Sequence, residues 1–173
     1  MRTKHARSRH KRLRSPVYRN VLVPVDGGDT AAGGLEEAIR VAAALKGRLR
    51  LIHVVNEVIF DAGPTPGLYG EDLMRSLREN GRTILAGAEA IARRAGVEVE
   101  TVLLESIGSP ASGLIVEQAK IWPADLIVMG THGRRGLARM TMGSDAEQVV
   151  RAASVPVLLV KTASAAHHGQ PAA

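Results

Sequence analysis

The sequence predicts an α/β domain built on a parallel sheet. Five short apolar runs alternate strictly with four helical patterns, and Gly, Pro and Asp turn signals separate one from the next. Strict alternation implies right-handed crossovers, with helices covering both faces of the sheet. The order of the strands does not follow from this pattern. At 173 residues the chain is long enough for one ordinary domain, and 45% hydrophobic against 23% charged residues favours a packed core.

Asn20–Asp26 (NVLVPVD) is the first strand, ended by Gly27-Gly28-Asp29. Leu35–Lys46 carries Leu35, Ala38, Ile39, Ala42 and Leu45 at helical spacing, with Gly47 at the expected C-terminal cap. Each of Gly33 and Gly34 would cost about 1 kcal/mol inside a helix, so the helix is expected to start near them. Arg48–Val55 is the second strand. Asn56–Gly70, with three glycines and two prolines, reads as a long loop of the kind used as a lid. Glu71–Ala95 is a long helix closed by Gly96, and Val97–Leu104 a third, half-exposed strand. Pro110–Ile121 is a short helix with proline at its start. Ala124–Met129 (ADLIVM) is a buried central strand, Ser144–Ala153 the last helix and Val155–Val160 the last strand.

Charge is concentrated at one end. Residues 1–19 hold eight basic side chains (Arg2, Lys4, Arg7, Arg9, Lys11, Arg12, Arg14 and Arg19) and no acidic one. That leaves 15 basic against 17 acidic residues in 20–173, a balance of −2, so the pI near 10.3 belongs to the arm and not to the domain. Residues 1–16 lack apolar periodicity and are expected to be a disordered basic arm; the domain is expected over 17–161 and a second disordered tail over 162–173. The arm has no apolar stretch after its charges, which excludes a secretory signal. A solvated tail, a polyanion-binding arm and an organelle transit segment stay open for it. Cysteine is absent, which excludes disulfides, Cys-ligated metal and a thiol nucleophile, and fits a reducing compartment. Four aromatic residues are too few for nucleic-acid stacking platforms, and no apolar run is long enough to span a membrane.

The chemistry concentrates in Gly130–Ser144, GTHGRRGLARMTMGS, between a buried strand and the last helix. Ligands of open parallel sheets bind at the carboxyl ends of strands. Gly130, Gly133 and Gly136 allow sharp turns and expose main-chain N–H groups, and Gly143 precedes a helix N-terminus, which favours an anion. Arg134, Arg135 and Arg139 add positive charge. The segment reads as a phosphate cradle, or as a loop whose glycines serve turn geometry alone. It is neither a Walker A loop nor a dinucleotide fingerprint.

The spacing Gly130-x2-Gly133-x9-Gly143-Ser144 resembles the universal stress proteins, whose ATP-binding members carry G-x2-G-x9-G-(S/T) after the fourth strand. The resemblance spans Tyr18–Lys161, through VLVPVDGG, LIHVV, DLIVMGTHG and SVPVLLV. It implies a doubly wound, Rossmann-like sheet of order 3-2-1-4-5, with Asp26 facing Gly130 across one crevice at the switch point. It implies that Pro24, Val25 and Asp26 wall the adenosine side and that Val54 and Met129 pack near adenine. Gly130, Gly133, Gly143 and Ser144 would contact ribose and phosphates, with His132 and Arg134 in the same loop. ATP is the implied ligand, with Mg²⁺ carried by the nucleotide. The implied role is a cytoplasmic stress-response regulator whose nucleotide state alters shape or contacts.

Two departures bear on that ligand, Asp145 and Gly28, the latter standing where the family commonly has a serine after its Asp-Gly. Asp145 follows Ser144 where the family often has an uncharged residue, and its carboxylate would repel a triphosphate unless it turns away or shares a cation. Ser144-x-x-Glu147 is also a capping box, a structural role compatible with phosphate contact. No acid–base pair stands out, so hydrolysis would be slow at most. The alternatives are a dimeric interaction module of the same fold that binds no nucleotide, and an adenylating enzyme, whose Ser-Gly-Gly-x-Asp-type loop is missing. His53 either lines the base pocket or satisfies a local main-chain group, and Trp122 reads as a packing anchor. The apolar edge strand Val155–Val160 predicts a homodimer.

Overall fold

The aliphatic runs become strands β1 (Asn20–Pro24), β2 (Arg48–Glu57), β3 (Glu98–Ile107), β4 (Leu126–Gly130) and β5 (Val157–Val160). Between them lie helices α1 (Asp29–Leu45), α2 (Gly70–Arg94), α3 (Ala111–Ile121) and α4 (Ser144–Ala152). The computed structural model describes residues 18–57, 70–131 and 142–161. The arm, the C-terminal tail and most of the expected lid lie outside the described residues.

All four strand pairings are parallel, and the order is β3-β2-β1-β4-β5, as the family resemblance implied. Alternation along the central strands feeds two cores. Val21, Val23, Leu49, Leu51, Leu126 and Val128 pack against α1 and α2. Leu22, Ile52, Ile127 and Met129 pack on the opposite face against α3 and α4. Val21, Leu22 and Val23 are fully buried, which explains why β1 reads as a continuous apolar run. Burying a side chain of this size contributes about 1.5–3 kcal/mol.

The start of β1 is tied across the sheet by Asp125, whose carboxylate accepts N–H bonds from Arg19 (3.0 Å) and Asn20 (2.9 Å). Trp122 is buried at the base of the second core, as an anchor should be. Its ring also carries the guanidinium groups of Arg48 and Arg50, 5.3 and 4.9 Å from the centroid.

Several boundaries differ from the expectation. α1 begins at Asp29 and runs through Gly33 and Gly34. A Cβ on Gly34 would lie 3.0 Å from the Gly130 nitrogen and 3.2 Å from the Met129 carbonyl carbon, so close contact with β4 overrides the helix penalty. At the other end of α1, the left-handed residue is Lys46 (φ 53°) and not Gly47. Gly47 answers a different need: its Cβ would come within 2.9 Å of the Tyr18 oxygen. β2 extends through Glu57 and β3 through Ile107, where they pair to their last residues. The second strand therefore takes the first residues of the expected lid. Pro110 is the N-cap of α3, just outside the helix. β4 and β5 each start two residues later than expected.

Candidate functional site

Five parallel strands place all their carboxyl ends on one side of the sheet, and β1 and β4 are neighbours there. α1 packs on one face of the sheet and α4 on the other, an arrangement that opens a crevice at the strand ends. The β1 turn is built by Asp26, whose Oδ1 accepts the Gly28 N–H at 2.8 Å. Gly27 sits at φ 81°, a conformation that glycine adopts without the strain a Cβ would bring. Gly28 is the N-cap of α1 and offers no side chain.

On the β4 side the two ends of the glycine-rich segment meet. Gly143 donates its N–H to the Thr131 carbonyl at 2.9 Å, and Thr131 donates its own to Val160 at 3.0 Å. These bonds hold the start of α4 beside the end of β4. Gly143 is the N-cap of α4, and no side chain among the described residues caps that helix. The expected capping box therefore does not form. The bond to Thr131 fixes Gly143 at the half-in position, so Ser144 becomes the first helical residue. Glu147 turns away, accepting Arg151 Nε (3.1 Å) and Nη2 (2.8 Å) instead. An uncapped helix N-terminus at a strand end presents main-chain N–H groups suited to an anion.

The residues expected to form the site are only partly brought together in the described structure. Pro24 and Val54 are half-buried, and Met129 is buried. By strand alternation Pro24, Val54 and Met129 share the α3/α4 face of the sheet. Val25 is buried in the opposite core, and its N–H donates to the Ile52 carbonyl at 2.8 Å. Its carbonyl accepts His53 Nδ1 at 2.7 Å, so His53 satisfies a main-chain group, the second of its two expected roles. Ser144 and Asp145 are exposed at the start of α4. His132, Gly133 and Arg134 lie outside the described residues.

Gly130 serves packing in a way the sequence did not reveal. A Cβ there would lie 2.6 Å from the Thr30 oxygen, so the space beside Gly130 is filled by the first turn of α1. The Gly130–Thr30 and Gly34–Gly130 contacts draw α1 against β4. Thr131, which ties the segment to both α4 and β5, was also missed. Its only signal was its place between two motif glycines. At the C-terminal end of β3, Arg78 Nε donates to Glu105 Oε1 at 2.8 Å. That bond, the largest effect, holds the Glu105 carboxyl below its ordinary value; burial opposes it, and the charges of Arg78 and Arg82 add smaller effects in the bond's direction. Among the described residues no cluster of three or more His, Cys, Asp or Glu could hold a metal ion, and no helix is long and apolar enough to cross a membrane.

The order of the sheet and the alternation of its strands and helices define a doubly wound, Rossmann-like α/β domain. The chain belongs to the universal stress protein family, which matches residues 17–161. It is 38% identical over 145 residues to the universal stress protein MJ0531 of Methanocaldococcus jannaschii, covering 84% of this chain and 83% of that one. Among solved structures it resembles the universal stress protein of Archaeoglobus fulgidus in complex with dAMP, at 26% identity and a TM-score of 0.58, covering 83% of this chain and 98% of that one. It also resembles a universal stress protein in complex with cAMP, at 27% identity and a TM-score of 0.59, covering 84% and 98%.

Proposed function

We propose that the domain binds ATP in the crevice between the β1 and β4 turns and acts as a cytoplasmic stress-response regulator. The observation that carries this reading is the start of α4: Gly143 caps it without a side chain and is hydrogen-bonded to Thr131, the residue that follows β4. The phosphates would approach the N–H groups of Ser144 and its successors, with the Ser144 hydroxyl as a further donor. The base would rest between Val54 and Met129, on the sheet face shared with Pro24. That relatives hold dAMP and cAMP supports adenine as the recognised base. The residues fit such a ligand chemically: apolar side chains toward the base, donors toward the phosphates and a carboxylate, Asp26, toward ribose or the adenine amine. Mg²⁺ would arrive with the nucleotide. Nucleotide occupancy would then bias the conformation of the two turns and the contacts made there.

A homodimer through β5 completes the proposal. β5 is a sheet edge whose four residues are all half-buried, an apolar edge that a second copy would cover. The competing reading, a dimeric module without nucleotide, draws on Asp145, an exposed carboxylate in the first turn of α4. The basic arm would add a weak, salt-sensitive contact to polyanions.

Calorimetry with ATP and Mg²⁺ tests the proposal. Gly143 has φ −62° and ψ 147°, which any L-residue adopts, so Gly143→Val adds bulk at the phosphate approach without backbone strain. Micromolar binding by the wild type and at least a tenfold loss in the variant are expected, about 1.4 kcal/mol or more. Equal binding by both would remove the α4 terminus from the site. Sedimentation velocity should give twice the 18.3 kDa chain mass; a monomer would refute the β5 pairing.

A further inference from the structure

The buried polar side chains among the described residues are His53, Ser106 and Ser112. The two serines are satisfied by Ser109 and Gln148. His53 occupies a more consequential place. Its Nδ1 is 2.7 Å from the Val25 carbonyl, and since a carbonyl can only accept, Nδ1 carries the proton. Strand pairing between β1 and β2 ends at Pro24 opposite Ile52. Beyond that point, two consecutive residues of β2 hold both main-chain groups of Val25: Ile52 takes its N–H and His53 its carbonyl. The next residue is Asp26, where the site turn begins.

The far edge of the imidazole meets α2. A Cβ on Gly81 would lie 2.7 Å from Leu103 Cδ1, 2.8 Å from His53 Cδ2 and 3.3 Å from Nε2, so the bare position 81 makes room for both the ring and Leu103. One helical turn on, Ile84 packs on the same site turn: a Cβ on Gly27 would lie 3.1 Å from Ile84 Cδ1. α2 therefore braces the Asp26–Gly28 turn twice, directly through Ile84 and indirectly through His53.

We propose that His53 is a positioning residue for the nucleotide site, an inference that rests on the ATP-binding reading above. By donating to Val25 it sets the direction in which the chain leaves β1, and with it the placement of Asp26 and the Gly27–Gly28 main chain. Gly81 is the opening in α2 that lets it do so. The position of α2 is thereby coupled to the affinity of the crevice.

Three variants test this: His53→Leu, which fills much of the space without a donor, His53→Asn, whose amide nitrogen stands on Cγ where Nδ1 stood, and Gly81→Ala. ATP affinity is read by calorimetry, exchange of the Val25 and Gly28 amides is read without ligand, and thermal unfolding confirms that each variant folds. Losing the donor is expected to weaken ATP binding about tenfold in His53→Leu and to speed exchange of both amides by a similar factor. His53→Asn should stay within about threefold of wild type in both, even where its smaller side chain lowers the melting temperature more. Gly81→Ala should weaken binding although alanine favours the helix. Wild-type affinity in His53→Leu, or loss in His53→Asn equal to that in His53→Leu, would overturn the proposal, the latter because it would reduce His53 to a space-filler. Wild-type affinity in Gly81→Ala would overturn the coupling to α2. A wild-type protein without affinity for ATP would overturn the ATP-binding reading and the nucleotide part of this inference. The exchange rates would still decide whether His53 holds the turn.

Discussion

Gly130→Ala and Gly87→Ala make the same chemical change with opposite expected signs. At Gly130 the new methyl would meet the Thr30 oxygen at 2.6 Å and the Thr30 carbonyl carbon at 2.7 Å, both main-chain atoms held by α1. Neither a rotamer change nor a small shift relieves such a contact, so overpacking should cost about 2–3 kcal/mol, the upper part of its usual range. At Gly87, within α2, none of the described residues lies within 4 Å of the methyl, so helix propensity sets the sign. That change should stabilise by about 0.8–1 kcal/mol. The two variants are thus expected to differ by about 3–4 kcal/mol. Urea unfolding followed by the fluorescence of Trp122, the chain's one tryptophan, measures the difference. With an unchanged slope, a lower midpoint for Gly130→Ala and a higher one for Gly87→Ala fit the account. A Gly130→Ala protein as stable as wild type would refute the claim that α1 is seated directly on β4.

Asp125→Ala removes the acceptor of two N–H bonds at the start of β1 and should cost about 2 kcal/mol in the same urea assay. Asp145→Asn should tighten ATP binding by about 0.5–1 kcal/mol at low ionic strength, with the gain shrinking as salt is added; calorimetry at two salt concentrations checks both statements. The Glu105 carboxyl is held below its ordinary 4.5, chiefly by its bond to Arg78, so the folded state favours the ionised form. Its contribution to stability is complete above 4.5 and fades as pH falls through the lower folded value. Arg78→Met should therefore be less stable than wild type at neutral pH, and the gap should narrow in acid below 4.5. Urea midpoints at the two pH values measure it.

Much of the fold could be read from pattern because local and tertiary preferences agree. Val21–Val23 and Leu126–Met129 are apolar at every position because both sheet faces are covered, and the helices between them follow their apolar spacing. The misreadings fall where one contact overrides a local rule. Gly33-Gly34 reads as a helix boundary, but the approach of β4 makes Gly34 an interior residue. Ser144-x-x-Glu147 matches a capping box, yet the bond from Gly143 to Thr131 moves the cap back by one residue. Strand order came from the family motif, since alternation is compatible with many orders. Of the site, the glycine spacing and Asp26 were visible in sequence. The clamp of Val25 by Ile52 and His53, and the fit of His53 against Gly81, were not, because they join three segments far apart in the chain.

Amide chemical-shift mapping of the ¹⁵N-labelled protein during titration with ATP and Mg²⁺ addresses the nucleotide crevice most directly. Saturable shifts should concentrate at Asp26–Gly28, Met129–Thr131 and Gly143–Ala146, the two turns that face each other at the carboxyl ends of β1 and β4. Shifts confined to the opposite end of the sheet, around Arg19 and Lys46–Arg48, or no saturable shift at all, would contradict the assignment of this crevice to ATP.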